Sequence, residues 1–167
     1  MDILGDRWTP LVLRETFYGF GKFDEIQSEL GIARNTLADR LRRLTDEGLL
    51  EKKLYDTNPR RYQYVLTEKG RDFWPVLLAI SAWGDRWLVG EEGQPVTIYH
   101  DTCGHDTHVE VVCAVCGEPM RAEDTRMRMG PGYPESLKDW PTAPQRFTAP
   151  EASVDETRVR VRGRKSG

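Results

Sequence analysis

The chain lacks the features that mark membrane and secreted proteins. None of its 167 residues falls within an apolar run of eighteen, so the sequence predicts no membrane-spanning helix. No basic segment followed by an apolar one opens the chain, and we therefore expect a cytoplasmic protein. The net charge is only −3, so overall charge gives no reason to expect a nucleic-acid partner.

Cysteine is scarce, and its three copies lie close together. In a reducing compartment, closely spaced cysteines are more often metal ligands than disulfide partners. Residues 100–104 and 113–117 repeat one pattern, in which a ligand residue is followed by two residues, Cys and Gly. Four such ligands suit closed tetrahedral zinc, and thiolates with imidazole favour zinc over hard cations. The pattern therefore predicts a structural zinc ion, and the alternative is a small β-type module with unmetallated thiols. The predicted ligands are His100, Cys103, Cys113 and Cys116.

The same segment superficially resembles the signature of zinc deaminases, because His108-Val109-Glu110 precedes the two cysteines of residues 113–116. That signature has proline before its first cysteine, where Val112 stands here. Four protein ligands would also leave no open position on the metal for catalysis. We therefore expect that the protein is not an enzyme.

The stretch from Phe23 to Gly70 carries the clearest functional pattern. A short helix over residues 23–30 is followed by a tight turn and by a second helix, predicted over 34–47. Apolar residues of the second helix recur at the spacing of one buried face. Two strand-like runs, 49–55 and 62–66, then flank a tip at 58–61. The order helix, turn, helix and hairpin predicts a winged helix-turn-helix.

Basic charge is concentrated in this stretch. Residues 34–61 hold eight Lys and Arg against five Asp and Glu, a local net charge of +3. Arg, Asn and Thr in the first turn of the second helix can read base edges, and the later arginines can contact phosphates. Arginines at the hairpin tip can enter a minor groove. The alternative is that each arginine only solvates the surface. The predicted DNA contacts are Arg34, Asn35, Thr36, Arg40, Arg42, Arg43, Arg60 and Arg61.

Helices are predicted on both sides of this unit. Thr9 as the N-cap residue and Pro10 after it predict the start of one helix, and residues 2–8 look like the end of another. A long helix over 67–88, capped by Thr67, has a wide apolar surface. It either packs on both its own domain and a partner subunit or is a well-buried single helix. An inducer pocket near Trp74 and Trp83 is one hypothesis for an unknown small-molecule effector, and the alternative is that both residues are core.

The predicted fold class is α+β, mainly helical: a winged helix-turn-helix domain with a small β-type, zinc-ribbon-like C-terminal module. The predicted divisions are residues 1–90 for DNA binding and dimerisation, 96–132 for the zinc-ribbon-like module, and 134–167 for a disordered basic tail. The leading functional hypothesis is sequence-specific binding of double-stranded DNA. The alternative is a winged-helix module for protein–protein contact.

Seven short motifs in the first half of the chain resemble the signature of HxlR-type winged helix-turn-helix transcription regulators. The resemblance covers residues 3 to 88 and implies a homodimer on a palindromic operator, with recognition helices about 34 Å apart. It also implies that the first and last helices of the domain make the dimer contact. The chain begins just before the first motif, so most of the family's first helix is expected to be missing. Some family members sense oxidants through a cysteine near the N-terminus, and this chain has none there. The motifs are Leu4-Gly5-Asp6-Arg7-Trp8, Lys22-Phe23-Asp24-Glu25, Gly31-Ile32-Ala33-Arg34-Asn35-Thr36-Leu37, Arg40-Leu41, Gly48-Leu49, Pro59-Arg60-Arg61-Tyr62-Gln63-Tyr64 and Leu66-Thr67-Glu68-Lys69-Gly70.

Overall fold

The computed structural model describes residues 5–138 of the chain. The predicted order of helix, turn, helix and hairpin is confirmed, and the fold is a mainly helical winged helix-turn-helix with small β-hairpins. In the described part of the chain, no helix is long and apolar enough to cross a membrane. The elements are α1 (Trp8–Phe17), α2 (Phe23–Leu30), α3 (Arg34–Asp46), β1 (Leu50–Thr57), β2 (Arg60–Leu66), α4 (Glu68–Arg71), α5 (Trp74–Trp87), β3 (Ile98–His100), β4 (His105–Thr107) and α6 (Glu135–Lys138).

An aspartate, not the predicted threonine, caps the start of α1. Asp6 Oδ1 accepts hydrogen bonds from the Trp8 amide at 2.8 Å and from the Thr9 amide at 3.1 Å. Its second oxygen accepts the Thr9 hydroxyl at 2.8 Å. The prediction that Thr9 caps the helix is therefore wrong, because a carboxylate can satisfy both amides and the hydroxyl together. Residues 5–7 form bends rather than the end of an earlier helix, and residues 2–4 lie outside the described part.

The helix-turn-helix is formed by α2, a turn at Gly31 and α3. Gly31 has a φ of +58°, the left-handed conformation in which glycine ends helices without steric cost. The buried residues of α3 are the three leucines that the apolar spacing indicates: Leu37, Leu41 and Leu44. They pack in one core with side chains from α1, α2 and β1. The predicted range of α3 is confirmed to within one residue at its end.

The wing is the antiparallel hairpin of β1 and β2. Leu50 pairs with Leu66 at its base, and Thr57 pairs with Arg60 next to a two-residue loop. Both predicted strands are therefore longer than expected, and the two tip arginines lie in β2 rather than in the loop. The Tyr64 amide donates to the Gly21 carbonyl at 2.7 Å, which ties the wing to the segment between α1 and α2.

The single helix predicted over residues 67–88 is wrong, because the chain forms two helices there. Thr67 caps α4 as predicted, its hydroxyl accepting the Gly70 amide at 3.0 Å. Pro75 then lies in the first turn of α5. Proline has no amide hydrogen to donate to the Arg71 carbonyl, and its ring clashes with that group. The helix therefore stops at Arg71 and begins again at Trp74.

Beyond α5 the described chain contains little regular structure. The chain divides into two compact units, with the boundary in the sequence between Glu110 and Val111. The β3–β4 hairpin belongs to the first unit, although the sequence predicts a separate module from residue 96. The predicted domain divisions stay a prediction. The predicted disordered tail begins with the single helical turn α6, and residues 139–167 lie outside the described part.

Candidate nucleic-acid interface

One face of α3 is exposed and polar. It lies opposite the three buried leucines, because residues four and seven apart share a helix face. Arg34 and Asn35 are exposed at its start, as predicted, and Thr36 beside them is half-buried. Ala38, which is not among the predicted contacts, is also exposed, in the middle of this polar face. The exposed residues of the face are Arg34, Asn35, Ala38, Asp39, Arg42 and Asp46.

The Arg34 side chain is held by residues of α2. Its guanidinium lies 4.8 Å from the centre of the Phe23 ring. Its Nη1 lies 3.5 Å from Asp24 Oδ1, and both of these side chains are largely exposed. An exposed ion pair of this kind contributes only about 0–1 kcal/mol, so a phosphate or a base edge can replace Asp24 as the partner of Arg34.

Further along the same face, Arg42 pairs with Asp39 at 2.9 Å. The pair is three residues apart on the helix and exposed to solvent, so Arg42 can exchange this carboxylate for a phosphate oxygen. The Asp39 carboxylate can accept a hydrogen bond from the amino group of cytosine. Cytosine is the base whose major-groove edge presents only a hydrogen-bond donor.

Arg40 and Arg43, predicted to contact phosphates, occupy less exposed positions than Arg42. Arg40 Nε lies 3.2 Å from Asp6 Oδ1, and the exposed fractions of the two side chains are 26% and 19%. That carboxylate also caps α1. Burial raises the pKa of Asp6, but hydrogen bonds from Thr9 and Trp8 and the charge of Arg40 outweigh it and hold the pKa below its ordinary value. Arg43 is half-buried.

The tip of the wing carries exposed positive charge. Arg60 and Arg61 are both exposed, and their side chains make no hydrogen bond or ion pair within residues 5–138. Lys52 and Lys53, which were not among the predicted contacts, are exposed on the neighbouring strand β1. Because successive residues of a strand point to opposite faces, the two lysines lie on opposite faces of the hairpin.

The two Cys/His turns have the same local backbone geometry, each taken by itself. In the first, the Gly104 amide donates to the His100 carbonyl at 2.8 Å, and in the second the Gly117 amide donates to the Cys113 carbonyl at 2.8 Å. Gly104 and Gly117 have φ values of +71° and +76°, which favour glycine. The repeat seen in the sequence is therefore also a repeat of structure.

The predicted ligands within each turn also interact. His100 Nδ1 lies 3.4 Å from Cys103 Sγ. The Cys116 and Val115 amides and the Cys116 thiol hydrogen-bond to the Cys113 sulfur and lower the pKa of that thiol. Among the residues that the structure describes, no group of three or more His, Cys, Asp or Glu side chains is gathered as it would be around a metal ion.

A stripe of apolar side chains runs along the exposed side of α5. Its spacing of three and four residues places these side chains on one helix face. Leu77 is the only residue of α5 that is buried, so the well-buried single helix considered in the sequence analysis does not describe α5. Trp74 is partly buried and packs against the core, its ring centre 4.5 Å from that of Phe17. The stripe consists of Val76, Ile80, Trp83 and Trp87, exposed by 40%, 52%, 58% and 63%.

The first unit also contains an open cleft of about 780 Å³. It lies between the C-terminal part of α5 and the segment of residues 94–110 that includes the β3–β4 hairpin. Trp83 and Trp87 line it, but Trp74 does not. Of the two tryptophans at which the sequence predicts a pocket, only Trp83 therefore lies beside this cleft.

Comparison with known proteins gives a consistent result for the first half of the chain. The model of a family described as HxlR-like helix-turn-helix matches residues 3–92. The uncharacterized HTH-type transcriptional regulator Rv3095 of Mycobacterium tuberculosis is 39% identical over 137 residues, which cover 82% of this chain and 87% of that protein. A similar regulator of Synechocystis, sll1512, is 38% identical over 92 residues, which cover 54% of this chain and 68% of that protein.

Two solved structures are similar over most of the chain. The structure of PA1607, described as a candidate transcription factor, has 34% identity and a TM-score of 0.69 and covers 77% of this chain and 90% of its own. That of PA1374 from Pseudomonas aeruginosa, described in the same way, has 37% identity and a TM-score of 0.59. It covers 81% of this chain and 92% of its own.

Proposed function

We propose a function from the premise that this chain belongs to the HxlR-like helix-turn-helix family of transcriptional regulators and is not an enzyme. The protein binds a specific double-stranded DNA site as a homodimer. The operator of such a homodimer would be palindromic, because a two-fold symmetric protein presents two identical recognition helices. The observation that carries the proposal is the exposed polar face of α3, which is flanked along the chain by a wing with unpaired arginines at its tip.

The roles of the residues on α3 follow from their positions. Arg34 and Asn35 occupy the first turn, from which side chains reach base edges in the major groove. Arginine pairs bidentately with guanine, and asparagine with adenine. Thr36 is half-buried beside them and can reach a phosphate or a base edge. Arg42, further along the exposed face, would exchange its exposed pair with Asp39 for a phosphate contact.

The wing supplies a second contact. Arg60 and Arg61 carry charges that no acidic group of residues 5–138 neutralises. Guanidinium groups at the tip of a hairpin can enter a narrow minor groove, where the negative potential is strongest. Such contacts depend on groove shape and phosphate, so they add affinity more than they add sequence preference.

The exposed stripe of α5 supports the homodimer. Four large apolar side chains on one helix face, each at least 40% exposed, form the kind of surface that another protein usually covers. A second copy of this chain fits best, because a two-fold axis places the same stripe on both sides of the contact. The family resemblance implies the same helix for this role.

The test is binding of the purified protein to the intergenic DNA beside its own gene, compared with a scrambled duplex, across a salt series. We expect the natural DNA to be bound about a thousandfold more tightly, with affinity falling steeply as salt rises. Arg34→Ala and Asn35→Ala should each cost about 1–3 kcal/mol and relax the preference at one base position. Arg126→Ala, which removes an exposed arginine from the second unit, is the control.

Two results would contradict this proposal. Equal, weak binding to both duplexes would favour the alternative of a winged-helix module that binds proteins. Unchanged affinity and sequence preference in both the Arg34 and the Asn35 variants would show that α3 does not read the DNA.

We also propose that the two Cys/His turns bind a structural zinc ion through His100, Cys103, Cys113 and Cys116. The support is the geometry within each turn. The separation of 3.4 Å between His100 Nδ1 and Cys103 Sγ fits two ligands of one zinc ion, for which bond lengths near 2.0 and 2.3 Å give about 3.5 Å at a tetrahedral angle. A segment with so few buried side chains would gain folding energy from such an ion.

Metal analysis of protein purified without chelators tests this assignment. We expect about one zinc ion per chain, because four ligands form a single closed site. Cys116→Ser should lose the metal, whereas His105→Ala should keep it, because His105 is not part of the repeated pattern. Chelation should increase amide exchange in residues 96–132 and leave residues 5–88 protected. Natively purified protein without zinc would contradict the assignment.

A further inference from the structure

The cleft beside α5 has the size and the aromatic wall of a small-molecule site. Its volume of about 780 Å³ lies within the range of about 300–1,000 Å³ typical of ligand pockets. Trp83 and Trp87 line it from α5, yet 58% and 63% of their surfaces remain exposed. Two large indole rings left open in one concave site provide apolar surface that an aromatic ligand can cover.

The charges around the cleft are mainly negative. Asp85, Asp106 and Glu110 line it, and among residues 5–138 Arg86 is the only Lys or Arg that does. The side chains of Asp85 and Asp106 make no hydrogen bond or ion pair within residues 5–138. Glu110 lies 3.5 Å from His108 Nε2. The cleft therefore carries two carboxylates that a positively charged ligand can neutralise.

One cation already contacts this aromatic wall. The Arg86 guanidinium lies 4.9 Å from the centre of the Trp87 ring, the arrangement of a cation–π interaction. Tryptophan is the aromatic side chain that attracts cations most strongly. An organic cation with aromatic groups can replace this contact and cover both indoles, and it gains attraction from Asp85 and Asp106. An anion of the same size would gain the apolar contact and attraction from Arg86, but it would be repelled by Asp85 and Asp106.

We propose that this cleft binds an aromatic organic cation. The site is independent of the DNA-binding proposal, because every residue that forms it lies outside α3 and the wing. It is adjacent to the proposed dimer surface, since Trp83 and Trp87 belong both to the stripe and to the cleft wall. A ligand in the cleft would therefore contact the same helix as the second subunit.

Tetraphenylphosphonium and tetraphenylborate form a matched pair of probes, because they have nearly the same size and shape and opposite charge. Binding of each to the full-length protein would be measured by calorimetry and by quenching of tryptophan fluorescence, in sodium buffer without DNA. We expect the cation to bind at least about tenfold more tightly than the anion, because its interaction with two carboxylates has the opposite sign. A tenfold difference in affinity corresponds to about 1.4 kcal/mol.

Variants test the assigned residues. Asp106→Asn and Asp85→Asn should each weaken binding of the cation about two- to fivefold and leave binding of the anion unchanged or tighter. Trp87→Leu should weaken binding of both ions. Glu92→Gln, which removes a carboxylate that does not line the cleft, is the control for net charge. Thermal unfolding and oligomeric state, measured for every variant, separate loss of the site from loss of the fold.

The proposal is overturned if the two ions bind equally, or if neither the aspartate variants nor Trp87→Leu changes binding of the cation. It is also overturned if the cation binds only to a monomeric variant. In that case a second copy of the chain, rather than a ligand, covers the cleft. Failure of DNA binding in a protein that still selects the cation would count against the proposed function alone.

Discussion

The carboxylate of Asp6 accepts the first amides of α1 and lies 3.2 Å from the Nε of Arg40 on α3. One side chain therefore fixes the start of the first helix and contacts the middle of the helix proposed to read DNA. The ion pair is about three-quarters buried, so water screens it less than it screens the pairs of Arg34 and Arg42. Arg40 is consequently more important for positioning α3 than its predicted role in phosphate contact suggests.

Asp6→Ala should destabilise the domain by about 1–3 kcal/mol, because it removes a helix cap and leaves the guanidinium of Arg40 half-buried without a partner. The measurement is urea unfolding of full-length protein monitored by tryptophan fluorescence. Asp24→Ala is the matched control, since it removes an equally charged but exposed partner of an arginine and should change stability by less than about 0.5 kcal/mol. Equal losses in the two variants would show that the Asp6 contacts contribute nothing beyond surface charge.

The same contacts predict a pH dependence of the free energy of unfolding. The pKa of Asp6 is lowered in the folded protein. The ionised carboxylate therefore stabilises the fold fully above the ordinary aspartate pKa of about 3.9. This stabilisation is lost as the pH falls through the lower pKa of the folded protein. The stability difference between the natural protein and Asp6→Asn should therefore be constant from pH 7 to about pH 5 and narrow below about pH 4. A difference that grew on acidification would contradict the lowered pKa.

Arg40 and Arg42 provide a contrast between two arginines of the same helix. Arg40→Ala should lower the free energy of unfolding by about 1–3 kcal/mol, because it leaves Asp6 without its cation. Arg42→Ala should change stability little, because its pair with Asp39 is exposed, and should lower the slope of log affinity against log salt by about one. Urea unfolding and DNA titration of both variants test these two roles. A loss of stability in Arg42→Ala together with a lower salt slope in Arg40→Ala would contradict them.

The sequence predicted the helix-turn-helix well because two local signals agree there. The leucines of α3 have helical spacing, and Gly31 supplies the left-handed turn before it. It did not predict the Asp6–Arg40 pair, because the two residues are brought together only by the packing of α1 against α3. The exposure of Arg42 and the partial burial of Arg40 depend on the same packing, and apolar periodicity alone does not separate them.

The break between α4 and α5 shows a different limit. Pro75 stands in the sequence, but the long apolar pattern around it predicts one helix that continues through the proline. A proline in the first turn of a helix costs nothing, whereas in the interior it removes a hydrogen bond. The chain therefore begins a new helix at this position. The dimer surface and the cleft, which depend on α5, could not be located until that break was known.

Gly70 and Gly84 test how closely the helices after the wing pack. A Cβ on Gly70 would collide with the Leu49 carbonyl oxygen, which is backbone and cannot swing away. Gly70→Ala should therefore destabilise the domain by about 2 kcal/mol or more. A Cβ on Gly84, within α5, would meet nothing within 4 Å, so Gly84→Ala should be neutral or stabilise by about 0.5–1 kcal/mol. Urea unfolding of both variants provides the measurement, and similar effects would contradict the close approach of α4 to Leu49.

The wing arginines should contribute affinity without sequence preference. Arg60→Ala should weaken binding to natural and scrambled DNA by the same factor and lower the salt slope by about one. Lys138→Ala, which removes a cation from the second unit, serves as the control for overall charge. A loss confined to the natural DNA would show that Arg60 reads the bases directly.

The stripe on α5 gives a test of the homodimer that does not require DNA. Ile80 is 52% exposed in the middle of the stripe, and Ile80→Glu would place a carboxylate at the centre of an apolar contact on both subunits. Because burying an unpaired charge costs several kcal/mol, the dissociation constant should rise at least about a hundredfold. Ser81→Glu adds the same charge on an exposed position of the same helix outside the stripe and should leave the dimer intact. Analytical ultracentrifugation across a dilution series measures both variants. If Ile80→Glu remained as dimeric as Ser81→Glu, the second copy would not bind through α5, and the apolar stripe would require a different partner.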